Sequence, residues 1–122
     1  MTRERLDLGK LGEALAINKV RSLGYKVIAA NYRCPMGELD LVAKDGDCLV
    51  FIEIKTRRLG AIDSAKAAVD TRKQRQVSKA ALAYMKSNGC CDVKSRFDVV
   101  AVSLGHGPPR IEVVKNAFEL AY

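Results

Sequence analysis

The stretch GELDLVAKDGDCLVFIEIKTRR, residues 37–58, decides the predicted fold because two apolar runs flank an Asp45-Gly46 pair. An Asp-Gly pair between alternating apolar residues is a strong local signal for a two-residue β-hairpin turn. Four charged residues nevertheless interrupt strands that are otherwise apolar. These residues are Glu38, Asp40, Glu53 and Lys55. Their placement makes the hairpin a candidate for chemistry as well as for folding.

The turn sets the register of the predicted hairpin. With Asp45-Gly46 as the loop, Asp40 faces Phe51, and Glu38 faces Glu53. Because side chains along a strand alternate with a period of two, all four charges fall on one face, and Asp40 and Glu53 become diagonal neighbours within reach of one shared ion. The other face is the predicted core and consists of Leu39, Leu41, Cys48, Val50, Ile52 and Ile54.

The charged end of this face is a candidate metal site. Two neighbouring carboxylates repel each other unless a proton or a cation intervenes. Their oxygen atoms suit Mg²⁺ or Mn²⁺. Lys55, one pleat from Glu53, can neutralise charge or orient a water for attack on a phosphate. The alternative is a solvated face with cross-strand ion pairs, since charges at sheet edges discourage aggregation.

Hydrophobic periodicity predicts the element order α-β-β-β-α-β-β. Helices are predicted over Gly9–Leu23 and Thr71–Asn88, each followed by a glycine that favours a stop. Asn31–Met36 is predicted to be a connection, and Thr56–Val69 a mobile loop. The chain, residues 1–122, is therefore predicted to be a single α/β domain with a central mixed β-sheet flanked by helices. The predicted strands are Tyr25–Ala30, Leu39–Ala43, Cys48–Lys55, Arg96–Ser103 and Ile111–Val114.

The net charge of +7 and the isoelectric point of about 9.4 predict attraction to polyanions, nucleic acid first. The alternative is a basic surface without a partner. The start of the chain does not resemble a signal peptide, and no apolar run is long enough to span a membrane. We therefore expect a cytoplasmic protein with no membrane partner. The four cysteines form no C-x-x-C pair, so free thiols are expected in place of a zinc site.

Three polar residues outside the hairpin are also placed among apolar ones. Glu13 shares a helical stripe with Ile17, so it can face the sheet and bind metal through water, or it can be an acid favoured by the helix dipole. Gln74 can complete a capping box with Thr71, or it can face the sheet and hold a water or a phosphate. Asp98, in an apolar strand, is expected to contact a backbone group or a basic partner and is assigned no chemistry.

A basic strip follows the carboxylates in the sequence and suits a phosphate backbone. Such runs are also common as plain solvated surface. Aromatic platforms for stacking single-stranded bases are not evident, so duplex or branched DNA is the expected partner. The members of the strip are Arg57, Arg58, Lys66, Arg72, Lys73, Arg75 and Lys79.

Taken together, these motifs resemble the YraN-like family, a bacterial family of largely uncharacterised proteins. That family belongs to the PD-(D/E)XK restriction-endonuclease-like superfamily, near archaeal Holliday-junction resolvases. The resemblance covers nearly the whole chain. The motifs that carry it are Gly12-Glu13, GELD at 37–40, VFIEIKTR at 50–57, Lys73-Gln74 and RFDVV at 96–100.

The resemblance implies a restriction-endonuclease-like fold and Mg²⁺-dependent hydrolysis of phosphodiesters by a single endonuclease-like domain. Asp40 and Glu53 match the acidic metal ligands of the superfamily, and Lys55 matches its motif lysine. The carbonyl of Ile54 is expected to join the metal ligands. The proline of the superfamily motif is replaced by Leu39, a common substitution there.

Two further positions follow from the same resemblance. Glu13 matches the helix acid, which would assist at the metal, and Gln74 matches the polar residue of the later helix. The expected function is that of a DNA endonuclease or junction-resolvase-like enzyme in repair, recombination or processing. A resolvase that acts on two strands is also expected to form a homodimer. The alternatives are a non-catalytic nucleic-acid-binding module of the same fold and a protein-interaction domain.

Overall fold

The computed structural model describes residues 3–58 and 69–121. The strands form one five-stranded sheet in the order β1-β2-β3-β4-β5. Neighbouring strands are antiparallel except β3 and β4, which are parallel and are joined through α2. The predicted α/β class and element order are confirmed. The elements are α1 (Arg3–Ser22), β1 (Lys26–Cys34), β2 (Gly37–Asp45), β3 (Cys48–Arg58), α2 (Thr71–Ser87), β4 (Ser95–Leu104) and β5 (Arg110–Phe118).

The two helices cover opposite faces of the sheet. Ala16 and Val20 of α1 pack in one buried cluster with Val50 and Ile52 of β3. The intervening residue Phe51 belongs to a second buried cluster on the other face. The sheet is therefore the middle layer of three, and both of its faces are buried. The α2 side chains in the second cluster are Val77, Ala80, Ala81, Tyr84 and Met85.

The loop of the β2–β3 hairpin lies one residue later than predicted. Asp45 pairs with Cys48, so the two-residue loop is Gly46-Asp47. Gly46 has a φ of 62°. Glycine at the first loop position is the pattern of a type II′ hairpin turn, whose twist matches that of the flanking strands. The register of the hairpin consequently differs from the predicted one by two residues.

This shift changes the cross-strand partners but not the faces. The predicted pairs Asp40–Phe51 and Glu38–Glu53 are wrong, because Phe51 pairs with Val42. Since the shift is an even number of residues, it leaves Asp40 and Glu53 on the same side of the sheet, as predicted. Continuing the observed register places Asp40 opposite Glu53 and not diagonal to it. The correction thus brings the two acids closer together.

The alternation of side chains breaks in β2 at Asp40. Leu39 was predicted on the same face as Leu41. Instead, Leu39 packs in the second buried cluster, with α2, while Leu41 packs in the first, with α1. Across the strand pair, Asn31 occupies the β1 position opposite Asp40, with a left-handed φ of 54°. A left-handed residue interrupts the regular pleat of β1 beside the point where β2 changes face.

Several predicted boundaries were too short. The first helix begins at Arg3, six residues before the predicted start, and β1 continues through Cys34. The start of the predicted mobile loop is instead the end of β3, since Thr56–Arg58 pair in parallel with β4. The rest of that predicted loop, residues 59–68 with Lys66, lies outside the described residues. Within the part of the chain that is described, no helix is long and apolar enough to cross a bilayer.

Gly12 sets how closely α1 approaches β3. A Cβ atom at this position would overlap Oγ1 of Thr56, whereas a Cβ at Gly9 meets nothing within 4 Å. We expect Gly12→Ala to lower the free energy of unfolding by about 1–3 kcal/mol through overpacking. Gly9→Ala, the matched control in the same helix, should be neutral or stabilising by about 0.5–1 kcal/mol. Urea denaturation measures both, and equal effects would contradict the close approach.

Candidate metal and phosphate site

Asp40 lies in the gap that opens between β2 and β3. Regular pairing of these strands ends at Leu41 and Ile52. Just beyond, the backbone N–H of Ile54 donates a hydrogen bond of 2.8 Å to Oδ2 of Asp40. Because the N–H and C=O of one strand residue point to the same edge, the Ile54 carbonyl is directed towards this gap as well. Ile54 thus supports the carboxylate and offers an oxygen beside it.

Glu53 is the buried acid of the site. It faces α2, on the same side of β3 as Phe51, and only 8% of the residue is exposed. The carboxyl groups of Asp40 and Glu53 are within hydrogen-bonding reach of each other. The structure therefore brings together the two acids that were predicted to share an ion.

Burial and mutual repulsion disfavour ionisation of this carboxyl pair. Burial, and then the negative charge of Asp40, raise the pKa of Glu53 to about 7. Burial also raises the pKa of Asp40, against the opposing effects of the Ile54 N–H and the charge of Lys73. Below about pH 7 the pair therefore tends to share a proton between its two carboxyl groups. Folding thus places two acids where their charges are costly, which is typical of functional sites.

The cation that touches the pair comes from α2 and not from β3. Nζ of Lys73 lies 3.4 Å from Oε1 of Glu53. Lys55 is exposed and forms no ion pair with any residue in the described ranges. By strand alternation it stands beside Glu53, at the solvent edge of the site. Lys73 was predicted to contact nucleic acid, and the structure also places it against a predicted metal ligand.

Glu38 and Glu13 lie at the periphery. Glu38 forms a cross-strand ion pair of 3.6 Å with Arg33, and both side chains are well exposed. Glu13 accepts a hydrogen bond of 2.8 Å from Nδ2 of Asn31. Asn31 stands opposite Asp40 in the register, so Glu13 approaches the site through an intermediary. Over residues 3–58 and 69–121, no group of three or more His, Cys, Asp and Glu side chains is close enough to hold a metal.

Gln74 does not complete a capping box. The N-cap of α2 is Asp70, whose side chain accepts a hydrogen bond of 2.8 Å from the backbone N–H of Lys73. The side-chain amide of Gln74 donates a hydrogen bond of 3.0 Å to the carbonyl of Val69. Gln74 therefore holds the chain at the entrance to α2, and no hydrogen bond joins it to the carboxyl pair.

The predicted nucleic-acid-binding residues flank the site on two elements. Arg72, Arg75 and Lys79 are exposed on α2. Arg57 and Arg58 end β3, just past Lys55 along the strand. One buried guanidinium nitrogen of Arg57, Nη1, has no hydrogen-bond partner among the residues described.

Asp98 belongs to a different site, at the hairpin-turn end of the sheet. It is fully buried and accepts hydrogen bonds from the Tyr25 hydroxyl at 2.7 Å, Nε of Arg96 at 2.9 Å and the Asn116 N–H at 2.9 Å. Arg96 also reaches Asp45 at 2.8 Å. The predicted contacts of Asp98 with a backbone group and a basic partner are confirmed, and its charge is fully compensated.

The free-energy cost of ionising the carboxyl pair in the folded protein predicts how the free energy of unfolding depends on pH. In the unfolded chain Glu53 titrates near 4.5, and in the folded chain near 7, so the folded state binds more protons in between. Stability therefore falls as pH rises across this window. Glu53→Gln removes the ionisable group and should raise the free energy of unfolding at about pH 8 by on the order of 2 kcal/mol, with little change at about pH 5.

Urea denaturation at the two pH values measures this effect. Glu112→Gln is the matched control, because Glu112 is an exposed acid on β5. An equal gain from both substitutions at the higher pH would contradict a specific cost at Glu53. A loss from Glu53→Gln at both pH values would indicate that its ion pair with Lys73 dominates.

Sequence reasoning missed two contacts of this site. Lys73 lies four residues before Val77, a core residue of α2, so helical spacing already put its side chain on the sheet side. That signal was available and indicated a contact with the sheet. No sequence pattern indicated the contact between Glu13 and Asn31, because it involves a left-handed residue within a strand.

Fold and site together define a small α/β protein with a buried carboxylate pair, bordered by basic residues, at one end of a mixed sheet. The chain belongs to the uncharacterised protein family UPF0102, whose family model matches residues 12–102. The matched region includes both acids of the pair and the two lysines beside them. The resemblance to the YraN-like family is therefore confirmed.

Bacterial relatives match along nearly their whole length. A UPF0102 protein of Geobacter sulfurreducens is 51% identical over 116 residues, covering 94% of this chain and 91% of the relative. A UPF0102 protein of Syntrophus aciditrophicus is 44% identical over 119 residues, covering 98% and 94%. One from Geotalea uraniireducens is 46% identical over 117 residues, covering 95% and 92%.

Proposed function

We propose that this protein is a metal-dependent phosphodiester hydrolase acting on DNA, of the endonuclease or junction-resolvase type. The observation that carries the proposal is the Asp40–Glu53 pair, two carboxyl groups in contact in a largely buried position. A pair of this kind opposes ionisation in the free protein, and a divalent cation between the acids relieves the repulsion. A metal site needs two carboxylates close together, and this need explains why the fold tolerates the energetic cost of the pair.

The donors of the pair fit Mg²⁺ or Mn²⁺. Both ions prefer oxygen ligands, and Mg²⁺ is commonly held by one or two carboxylates together with waters and substrate phosphate. Asp40, Glu53 and the Ile54 carbonyl would hold the ion, and Glu13 would assist from the far side of Asn31. A bound ion would polarise the scissile phosphate and lower the pKa of the attacking water.

The protein's own groups orient the reactants in this proposal. The N–H of Ile54 fixes the Asp40 carboxylate by its hydrogen bond of 2.8 Å, so that the carboxylate is preorganised. Lys55, exposed at the rim, would position the attacking water and offset the negative charge that develops on the phosphate. Gln74, which ties Val69 to the start of α2, would steady the wall of the site or donate the second N–H of its amide to the phosphate.

The surrounding charge favours a polyanionic substrate. The net charge of +7 steers nucleic acid to the protein, and the basic side chains nearest the pair supply phosphate contacts that are not sequence-specific. A homodimer would place two such sites on the two strands of a duplex or branched substrate. The basic residues assigned to the phosphate backbone are Arg57, Arg58, Arg72, Lys73, Arg75 and Lys79.

Cleavage assays on branched and linear duplexes test the proposal. Purified protein with Mg²⁺ or Mn²⁺ should cleave at least one of these substrates, and chelation should stop the cleavage. Replacing a lysine or arginine of α2 by alanine, as in Arg75→Ala, should weaken DNA binding and reduce the salt dependence of that binding. Absence of cleavage and of DNA binding under all these conditions would overturn the proposal.

A second candidate is a non-catalytic nucleic-acid-binding module of the same fold. The observation that favours it is that Glu13 bonds to Asn31 and no third acid of the described residues joins the pair. This candidate predicts salt-sensitive DNA binding that is independent of metal and without turnover. The same assays separate the two functions, because only the hydrolase requires a divalent cation.

A further inference from the structure

The ion pair between Lys73 and Glu53 is an unusual contact for a metal ligand. Nζ of Lys73 lies 3.4 Å from Oε1 of Glu53, and the Glu53 side chain is 10% exposed. The lysine backbone is fixed at the first turn of α2, because its N–H is held by the Asp70 cap at 2.8 Å. An anchored lysine therefore delivers its ammonium group to the buried acid of the site.

The lysine side chain itself is free to leave. Its exposed fraction is 42%, so the ammonium group can exchange Glu53 for water without crossing the core. Four methylene groups on a flexible stem allow this movement without a shift of the helix. The acid, in contrast, is fixed by the strand. The contact is thus made by one mobile and one immobile partner.

A divalent cation and this ammonium group compete for the same oxygen atoms. A cation coordinated by the pair approaches its oxygen ligands to about 2.0–2.1 Å. Two positive centres would then share the Glu53 carboxylate and repel each other at short range. Lys55 does not compete in this way, since it is exposed and forms no ion pair with a described residue.

We infer that Lys73 is an exchangeable counter-ion of the site, which occupies Glu53 in the absence of a divalent cation and lowers the affinity for that cation until it is displaced. The inference rests on the proposed function, because it takes the carboxyl pair as the cation site. It adds a regulatory contact to that site. A phosphate group that draws Lys73 away from Glu53 would vacate the carboxylate and favour cation binding.

Titration of Mn²⁺ followed by calorimetry or electron paramagnetic resonance tests this inference without any measurement of cleavage. At about pH 8, Lys73→Met should bind Mn²⁺ about three- to tenfold more tightly than the wild type. Lys86→Met, at an exposed position in the last turn of the same helix, is the matched control and should leave the affinity unchanged. Lys73→Gln, shorter and polar, repeats the test in case the methionine variant folds poorly.

The outcomes separate the inference from the proposed function. If the wild type binds Mn²⁺ and both Lys73 variants bind it equally tightly or more weakly, the inference is overturned and the metal site stands. Absence of Mn²⁺ binding in the wild type and in all variants would overturn the metal site and the inference with it. Binding that appears only in the Lys73 variants would support both.

A duplex with phosphorothioate linkages that resist cleavage extends the test. If phosphate draws Lys73 away, this duplex should raise the Mn²⁺ affinity of the wild type more than that of Lys73→Met, because the variant has no counter-ion to displace. An equal gain in both proteins would show that phosphate does not act through Lys73, and that part of the inference would be wrong.

Discussion

Asp40→Asn is expected to reduce Mg²⁺-dependent DNA cleavage by about a thousandfold or more. The substitution removes one charge of the pair but keeps an oxygen that can accept the Ile54 N–H, so the strand geometry should persist. A metal contributes several kcal/mol of transition-state stabilisation, and each 1.36 kcal/mol corresponds to about a factor of ten in rate. Losing the metal therefore accounts for the expected size of the effect.

The same substitution should not destabilise the protein. Burial raises the pKa of Asp40, so its ionised form is costly in the folded chain. A neutral amide should therefore leave the free energy of unfolding unchanged or raise it. Asp47→Asn is the matched control, since Asp47 is an exposed residue in the loop of the same hairpin. Cleavage that persists undiminished in Asp40→Asn would show that the site is assigned wrongly.

Asp98→Ala is expected to cost about 3–5 kcal/mol of stability, the largest loss from a single truncation that we predict. The truncation removes the acceptor for three donors at once, the Tyr25 hydroxyl, the Arg96 guanidinium and the Asn116 N–H. Arg96 would then be left part-buried with Asp45 as its remaining acid. Part-buried donors that lose their acceptor cost more than the net contribution of the ion pair itself.

The network around Asp98 also joins distant parts of the chain. Tyr25 precedes β1, Asp45 ends β2, and Asn116 lies at a bulge of β5, with a φ of 52°. Urea denaturation measures the loss, and Asp92→Ala, at an exposed position before β4, is the control. Asp98→Asn should fall between the two, because the amide still accepts from the Asn116 N–H. Equal stabilities of the two alanine variants would contradict a structural role for Asp98.

The two sites differ in how far neighbouring groups of the chain compensate the charges of their acids. Asp98 is fully buried, yet its partners are all provided by the chain, and its removal should cost stability. Asp40 and Glu53 oppose each other, and their neutralisation should cost activity while sparing stability. Stability and activity measurements on the same variants therefore distinguish structural acids from functional ones.

Most of the fold could be predicted from periodicity and turn residues, because helices and strands here follow local patterns. The hairpin register could not, since Asp45-Gly46 and Gly46-Asp47 are both acceptable two-residue turns. The error left Asp40 and Glu53 on one side because a slip of two preserves the pleat. The proximity of the acids was therefore predicted correctly on the basis of an incorrect register.

The remaining differences arise from tertiary contacts. The change of face at Leu39 lies opposite the left-handed Asn31, and asparagine adopts that conformation only in particular surroundings. The link from Glu13 to Asn31 depends on the same feature. The ends of β1 and β3 were predicted too short because partner strands, and not local propensity, extend them.

The central claim is that the carboxyl pair holds a divalent cation, and titration of Mn²⁺ into wild type and Asp40→Asn tests it most directly. The titration is run at about pH 8, above the pKa of about 7 of Glu53, so that protons compete less with the ion. We expect the wild type to bind about one Mn²⁺ per chain, alone or with an uncleavable duplex that completes the coordination, and Asp40→Asn to lose this binding. Equal binding by the two proteins, or none by the wild type even with the duplex, would contradict the claim.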